Sequence, residues 1–156
     1  MVEYIAKAFA AWFIGFFPYF EIYVAVPAAI AMGLDYFSAV TWSVFGNYTP
    51  VILIHFLYEQ MIKSERINRW FAKLTSEKFK TNIDKYGLWF VLIVTPWIGV
   101  WVMTVTMKVF KMDDKKLLSY SFISITAYAV VIAVLIALGM DVFIDLKIVP
   151  LRSYIT

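Results

Sequence analysis

The distribution of charge-free stretches constrains this chain more than any other feature. Four apolar blocks, Ala8–Leu34, Tyr36–Tyr58, Tyr86–Met107 and Leu117–Met140, make up most of its 156 residues. About 20 apolar residues cross a hydrocarbon core of about 30 Å. The second and fourth blocks, with 23 and 24 residues, are therefore expected to be plain spanning helices. The first and third are interrupted, by Pro18 and Pro27 in one and by Pro96 and Gly99 in the other. Each falls into halves of about 10–13 residues, roughly 15–20 Å as helix and too short to span alone.

Composition points the same way. The chain is 63% hydrophobic, with a mean hydropathy of +0.78. A soluble domain is nearer half apolar, so a single all-α integral membrane domain over 1–156 is expected. There is no cysteine, which excludes disulfides, a thiolate nucleophile and a cysteine metal site. The net charge of +3 reflects membrane topology rather than nucleic-acid binding, because the cations cluster in particular loops. The first block is long and lacks a basic leader or small-residue cleavage site, so no signal peptide is expected.

An interrupted block can be a kinked full span, or a re-entrant hairpin that returns to the side it left. Irregular backbone at membrane depth is tolerated only where protein buries it or it lines a cavity. Charge favours the hairpin. Seven cations lie between the second and third blocks (Lys63, Arg66, Arg69, Lys73, Lys78, Lys80 and Lys85), and Lys108, Lys111, Lys115 and Lys116 follow the third. A re-entrant third block keeps all eleven on the cytoplasmic side, as the positive-inside rule asks. Lys7, Lys147 and Arg152 then lie outside, and both termini are expected to be external.

An internal repeat fits this scheme. Pro18 and Asp35 stand seventeen residues apart, as do Pro96 and Asp113, and an offset of 78 also pairs Val24 with Val102, Ser43 with Ser121 and Ile54 with Ile132. Each unit reads as a broken hairpin, an aspartate turn and a spanning helix. Residues 1–60 form the first and 86–140 the second, entering from opposite sides, an arrangement common in secondary transporters with a midplane site. Residues 61–85 are expected to be a cytoplasmic linker, amphipathic through Ile62, Arg66, Ile67, Trp70, Phe71 and Leu74. Such a segment can lie on the inner membrane surface or pack on the bundle. The tail, 141–156, is expected to be interfacial.

Glu21 is the sole acid inside the apolar blocks. A carboxylate at bilayer depth costs about 2.5–3.5 kcal/mol on insertion scales and marks a functional site by default. Moved out of water, a carboxyl holds its proton more tightly, which makes Glu21 a candidate proton-coupling group; the alternative is a neutral residue bonding the broken backbone of Pro18–Pro27. Asn47 lies near the middle of the next helix at the expected depth of Glu21, either bonding it or joining helices, with Gly46 allowing close approach. His55, the single histidine, is either a proton relay or a neutral hydrogen-bonded residue. Around the breaks, Tyr23, Trp97, Trp101 and Thr104 are candidate substrate-lining residues. Neither a phosphate loop, a metal-ligand set nor a hydrolytic triad is present, so neither an enzyme nor a cofactor is expected.

Phe20-Glu21-Ile22-Tyr23-Val24-Ala25-Val26-Pro27 and Gly46-Asn47-Tyr48-Thr49-Pro50 resemble the two signatures of the small multidrug export family. The likeness covers roughly 14–140, with Lys85-Tyr86-Gly87 and the Pro96–Gly99 break also fitting. That family is similar in architecture to the DedA group, whose members are thought to carry two re-entrant hairpins and to move lipids or polyprenyl-phosphate carriers. Tyr23 replaces the family's arginine after the glutamate, and Trp101 stands where DedA would lead one to expect arginine or a small polar residue. An anionic headgroup would need such cations. The resemblance implies a small secondary transporter of the cell membrane, exchanging a proton at Glu21 for a cationic or amphiphilic molecule. A lipid flippase and a non-transporting scaffold are the other readings. Its partners would be membrane lipids, the substrate, the proton and further copies in a homo-oligomer that buries the polar hairpins.

Overall fold

The computed structural model describes residues 1–61, 63 and 77–152. These form helices α1 (Val2–Phe16), α2 (Glu21–Ala31), α3 (Tyr36–Met61), α4 (Glu77–Val109) and α5 (Asp114–Arg152), with no strand among the described residues. Tyr36–Tyr58 and Asp114–Gly139 are long and apolar enough to cross a membrane. Residues 62 and 64–76, where most of the amphipathic linker was expected, lie outside the described residues. The tail expected at 141–156 continues α5 as helix to Arg152.

Between α1 and α2 the chain turns back at Phe17–Phe20. The start of α1 thereby comes to lie beside the start of α3: Tyr4 Oη is 3.2 Å from Ser38 Oγ and accepts the Trp42 indole N–H at 3.1 Å. Further along, α1 and α3 cross at two glycines. A side chain on Gly46 would run into the Trp12 carbonyl, and one on Gly15 would meet the Ser43 carbonyl oxygen at 2.7 Å. Small residues let helix backbones approach closely where apolar burial drives no association, and the Trp12 Nε1–Thr49 Oγ1 bond (3.1 Å) fastens the same crossing.

One turn occurs twice, 78 residues apart. Helix α2 ends with Gly33 at φ +85°, Gly33 N–H on the Ile30 carbonyl (2.9 Å) and Leu34 N–H on that of Ala29 (3.1 Å). Helix α4 ends with Lys111 at φ +56° and the same pair of bonds, to Lys108 (2.9 Å) and Met107 (3.0 Å). This left-handed close satisfies the last carbonyls of a helix and usually recruits glycine. The next helix then starts on an aspartate cap. Asp35 Oδ1 accepts Ser38 N–H (2.9 Å), and Asp113 Oδ1 accepts Lys116 N–H (3.1 Å). An aspartate at this place answers one of the unpaired donors of the first turn. Its bonds from Ser38 hold the Asp35 carboxyl below its ordinary range.

The third apolar block was expected to divide at Pro96 and Gly99, and the two positions behave differently. Helix α4 passes through Pro96, and the departure from right-handed backbone comes at Gly99, φ +78°. A proline in a helix leaves the carbonyl four residues back without a donor. Here that carbonyl belongs to Leu92, and the Tyr128 hydroxyl donates to it at 2.8 Å. The repair is tertiary, so the proline need not end the helix. Pro27 likewise lies inside α2 rather than at the break. The start of α4 is close to its end: a side chain on Gly87 would touch Met112 Cε at 2.9 Å and Tyr120 at 3.5 Å.

Helices α3 and α5 lie antiparallel. Tyr48 Oη donates to the Leu118 carbonyl (3.2 Å) and its ring meets Phe122 edge-on, while His55 near the other end of α3 faces Asp114 at the start of α5. Ile22, Val26, Val44, Val51, Val100, Met103, Leu117 and Ile125 form the core between these helices and α2 and α4.

Candidate functional site

The two backbone breaks meet. Glu21 opens α2 in the left-handed region, φ +46°, which costs a residue with a side chain roughly 1–2 kcal/mol. Its carboxylate reaches across to the second break, where Oε1 accepts the Val100 N–H at 3.0 Å. With Gly99 left-handed, that amide is released from the regular ladder, and Glu21 answers it. The carboxylate occupies the space that a side chain at position 99 would need. Only glycine suits the site, for its φ and for its missing Cβ. Strained backbone held by its surroundings is characteristic of functional sites. The positive-φ residues Glu21 and Gly99 are related by the same offset of 78 as Gly33 and Lys111.

A second bond joins the breaks. Trp101 Nε1 donates to the Phe16 carbonyl at 3.0 Å, and the two rings meet edge-on at 5.4 Å between centroids. Phe16 is the last residue of α1, where carbonyls lack intrahelical donors. Trp101 thus caps α1 from α4, as Glu21 holds α4 from α2. Glu21 is 7% exposed and Val100 and Thr104 not at all. The point where the two breaks meet is therefore buried within one chain.

Of the residues singled out in the sequence, Glu21, Gly99 and Trp101 come together here. Thr104 is close by but donates to the Val100 carbonyl of its own helix (2.7 Å). Tyr23 is partly exposed and lies 6.2 Å from Tyr128, ring to ring. Pro18 lies in the turn between α1 and α2. Pro96 and Trp97 lie on the helical backbone of α4, and their side chains are outside the described residues. Asn47 is buried at the α1–α3 crossing, its backbone N–H beside Gly15. No hydrogen bond joins it to Glu21 among the described residues, and its Oδ1 has no partner.

His55 belongs to a different place, the junction of α3, α4 and α5. Its Nδ1 is 3.6 Å from Asp114 Oδ1, too long for a hydrogen bond. The same oxygen takes the Lys108 ammonium at 2.6 Å. Lys108, read from the sequence as one cation in the cytoplasmic charge count, is only 7% exposed and stands 5.6 Å from the centre of the Tyr58 ring. The sequence signal that could have revealed it is its place directly after the apolar block, with an acid six residues on.

Residues 21–136 match the family model described as "Putative small multi-drug export protein". That description points to transport rather than enzymatic chemistry. Neither the curated proteins nor the solved structures give a match. With the match spanning most of the sequence and two helices of membrane-crossing length, the chain belongs to the small multi-drug export family and is a membrane protein.

Proposed function

We propose that this protein is a secondary transporter that exports a cationic or amphiphilic small molecule in exchange for protons bound at Glu21. The observation that carries the reading is the meeting of the two breaks at a buried carboxylate. Glu21 is bonded to a backbone amide, and no cation among the described residues pairs with it. A proton or a positively charged substrate can therefore each neutralise it, and the two exclude one another there. Alternating access needs a site between two bodies that can part, and the Glu21–Val100 and Trp101–Phe16 bonds span such a boundary.

In this reading each interrupted block is a re-entrant hairpin, and the two units enter a cell membrane from opposite faces with both termini outside. Support comes from the paired ends of each block, the recurring turn and the antiparallel α3 and α5. Half-spans that end at midplane present their free backbone groups to a buried site, as in other inverted-repeat transporters.

Glu21→Gln tests the coupling. Glutamine keeps an oxygen to accept the Val100 N–H but cannot exchange a proton. In proteoliposomes, pH-gradient-driven flux of a fluorescent lipophilic cation is expected to disappear in this variant; flux equal to the parent protein's would sink the proposal. Scrambling of labelled phospholipid by the parent protein, without cation flux, would point to a flippase instead.

A further inference from the structure

A groove of about 400 Å³ runs between α1 and α3, and five aromatic rings line it: Tyr4, Phe9 and Trp12 from α1, Trp42 and Phe45 from α3. Cavities of about 300–1,000 Å³ are the size that takes a drug-like molecule. The α1 residues recur at the spacing of one helical stripe, and Trp42 and Phe45, three apart, share a face of α3. None of the described lining residues carries a charge. Glu3 and Lys7, also on α1, answer each other at 2.6 Å.

Three of the rings are held by their polar ends. The Trp42 indole N–H donates to Tyr4 Oη, which lies 3.2 Å from Ser38 Oγ, and the Trp12 indole N–H donates to Thr49 Oγ1 at 3.1 Å. Tyrosine and tryptophan of a membrane belt turn those ends to the lipid headgroups. Here they are bonded to side chains of the protein, which fixes the rings and leaves carbon surface for a guest. Walls ordered beforehand spare a ligand the cost of ordering them.

The groove is also joined to the site where the breaks meet. Phe9 lies 5.6 Å from Trp12, Trp12 stacks on Phe16 at 5.5 Å, and Phe16 meets Trp101 edge-on at 5.4 Å. Trp101 adjoins Val100, whose amide Glu21 holds. An unbroken series of rings therefore leads from the groove to the carboxylate.

We infer that the α1–α3 groove is a membrane-side binding site for a flat, lipophilic organic cation. Ring faces are electron-rich and attract cations, most strongly where water is excluded. A compact ammonium would keep its water and an anion would meet no positive group, whereas a charge spread over a planar ring system suits walls of this kind. The inference rests on the transport reading and gives it a substrate class and a first seat, from which the ring series leads towards Glu21.

The test is equilibrium dialysis of an N-methylacridinium dye against the whole protein in phosphatidylcholine nanodiscs, with the uptake of protein-free nanodiscs subtracted. Saturable binding is expected, with neutral anthracene, of the same shape, competing about tenfold more weakly. Phe45→Ala removes one wall and should weaken dye binding about tenfold. Ile5→Trp, at another lining residue, should fill the groove and abolish it. Phe45 and Ile5 are 64% and 59% exposed, so the helical circular dichroism of both variants should match the parent's. Absence of saturable binding, anthracene competing as well as the dye, or variants that bind like the parent would overturn the site. Binding of lysophosphatidylcholine in place of the dye would overturn it too, in favour of a seat for a lipid chain. If the groove failed in these ways while Glu21→Gln still abolished pH-driven flux, the transport reading would stand without it; dye binding lost in Ile5→Trp, with flux indifferent to Glu21→Gln, would keep the groove and remove the coupling.

Discussion

Replacing Gly99 with alanine should damage this protein through two separable terms, and Glu21 is the means of separating them. The first term is backbone: an alanine at φ +78° costs about 1–2 kcal/mol relative to glycine. The second is collision, because the new methyl enters the space held by the Glu21 carboxylate. Pushing the carboxylate off the Val100 N–H leaves that buried amide unanswered, at about 1–3 kcal/mol. Gly99→Ala alone is therefore expected to cost about 2–5 kcal/mol. In a Glu21→Ala background the space is already free and the amide bond already gone, so only the backbone term remains. The double-mutant cycle should show a coupling of about 1–3 kcal/mol, the double variant being more stable than the sum of the single losses. Equilibrium unfolding of the purified variants in mixed micelles, followed by tryptophan fluorescence, measures all four corners. Additivity within about 0.5 kcal/mol would show that carboxylate and glycine do not share a site, and the meeting of the two breaks would have to be abandoned.

Tyr128→Phe removes the hydroxyl that answers the Leu92 carbonyl and should cost about 1–3 kcal/mol in the same unfolding assay. Pro96→Ala, which restores an N–H for that carbonyl, should recover much of the loss; no recovery would disprove the repair. At the α3–α4–α5 junction, Asp114→Asn strands the ammonium of Lys108 and should destabilise more than Lys108→Met, which removes the charge together with its need for a partner. Because Asp114 is half exposed, the penalty is expected at about 1–3 kcal/mol rather than the larger values of fully buried pairs; equal stability of the two variants would count against the pairing. For topology, the absence of native cysteine allows single cysteines at Asp35 and Lys111, near the two copies of the recurring turn. The first should react with an impermeant maleimide from outside and the second from inside, and outside labelling at Lys111 would refute the inverted arrangement.

The periodicity of apolar and polar residues brought the reading as far as local chemistry reaches. The starts of α3 and α5 were legible because aspartate caps are made within four residues, at Asp35–Ser38 and Asp113–Lys116. The offset of 78 was legible because the turns repeat. The prolines misled, since a proline marks the loss of one N–H and says nothing about replacements. Tyr128 stands in for the donor lost at Pro96 from 36 residues away, so the helix continues where sequence reasoning divided it. Lys108 misled in the opposite sense: it was counted only as a loop charge, whereas its burial depends on the packing of Tyr58 and Asp114 around it.

Glu21 marks where these two kinds of information part. Its position in an apolar run, by itself, determined that the chain carries one costly acid at depth and that something must answer it. What answers it is decided only by the tertiary structure. The partner is the Val100 amide, 79 residues away, and an amide N–H is common to every residue except proline. No side-chain pattern can point to it. Two left-handed residues free that donor and aim the carboxylate, and they do so only once α2 and α4 are packed against each other.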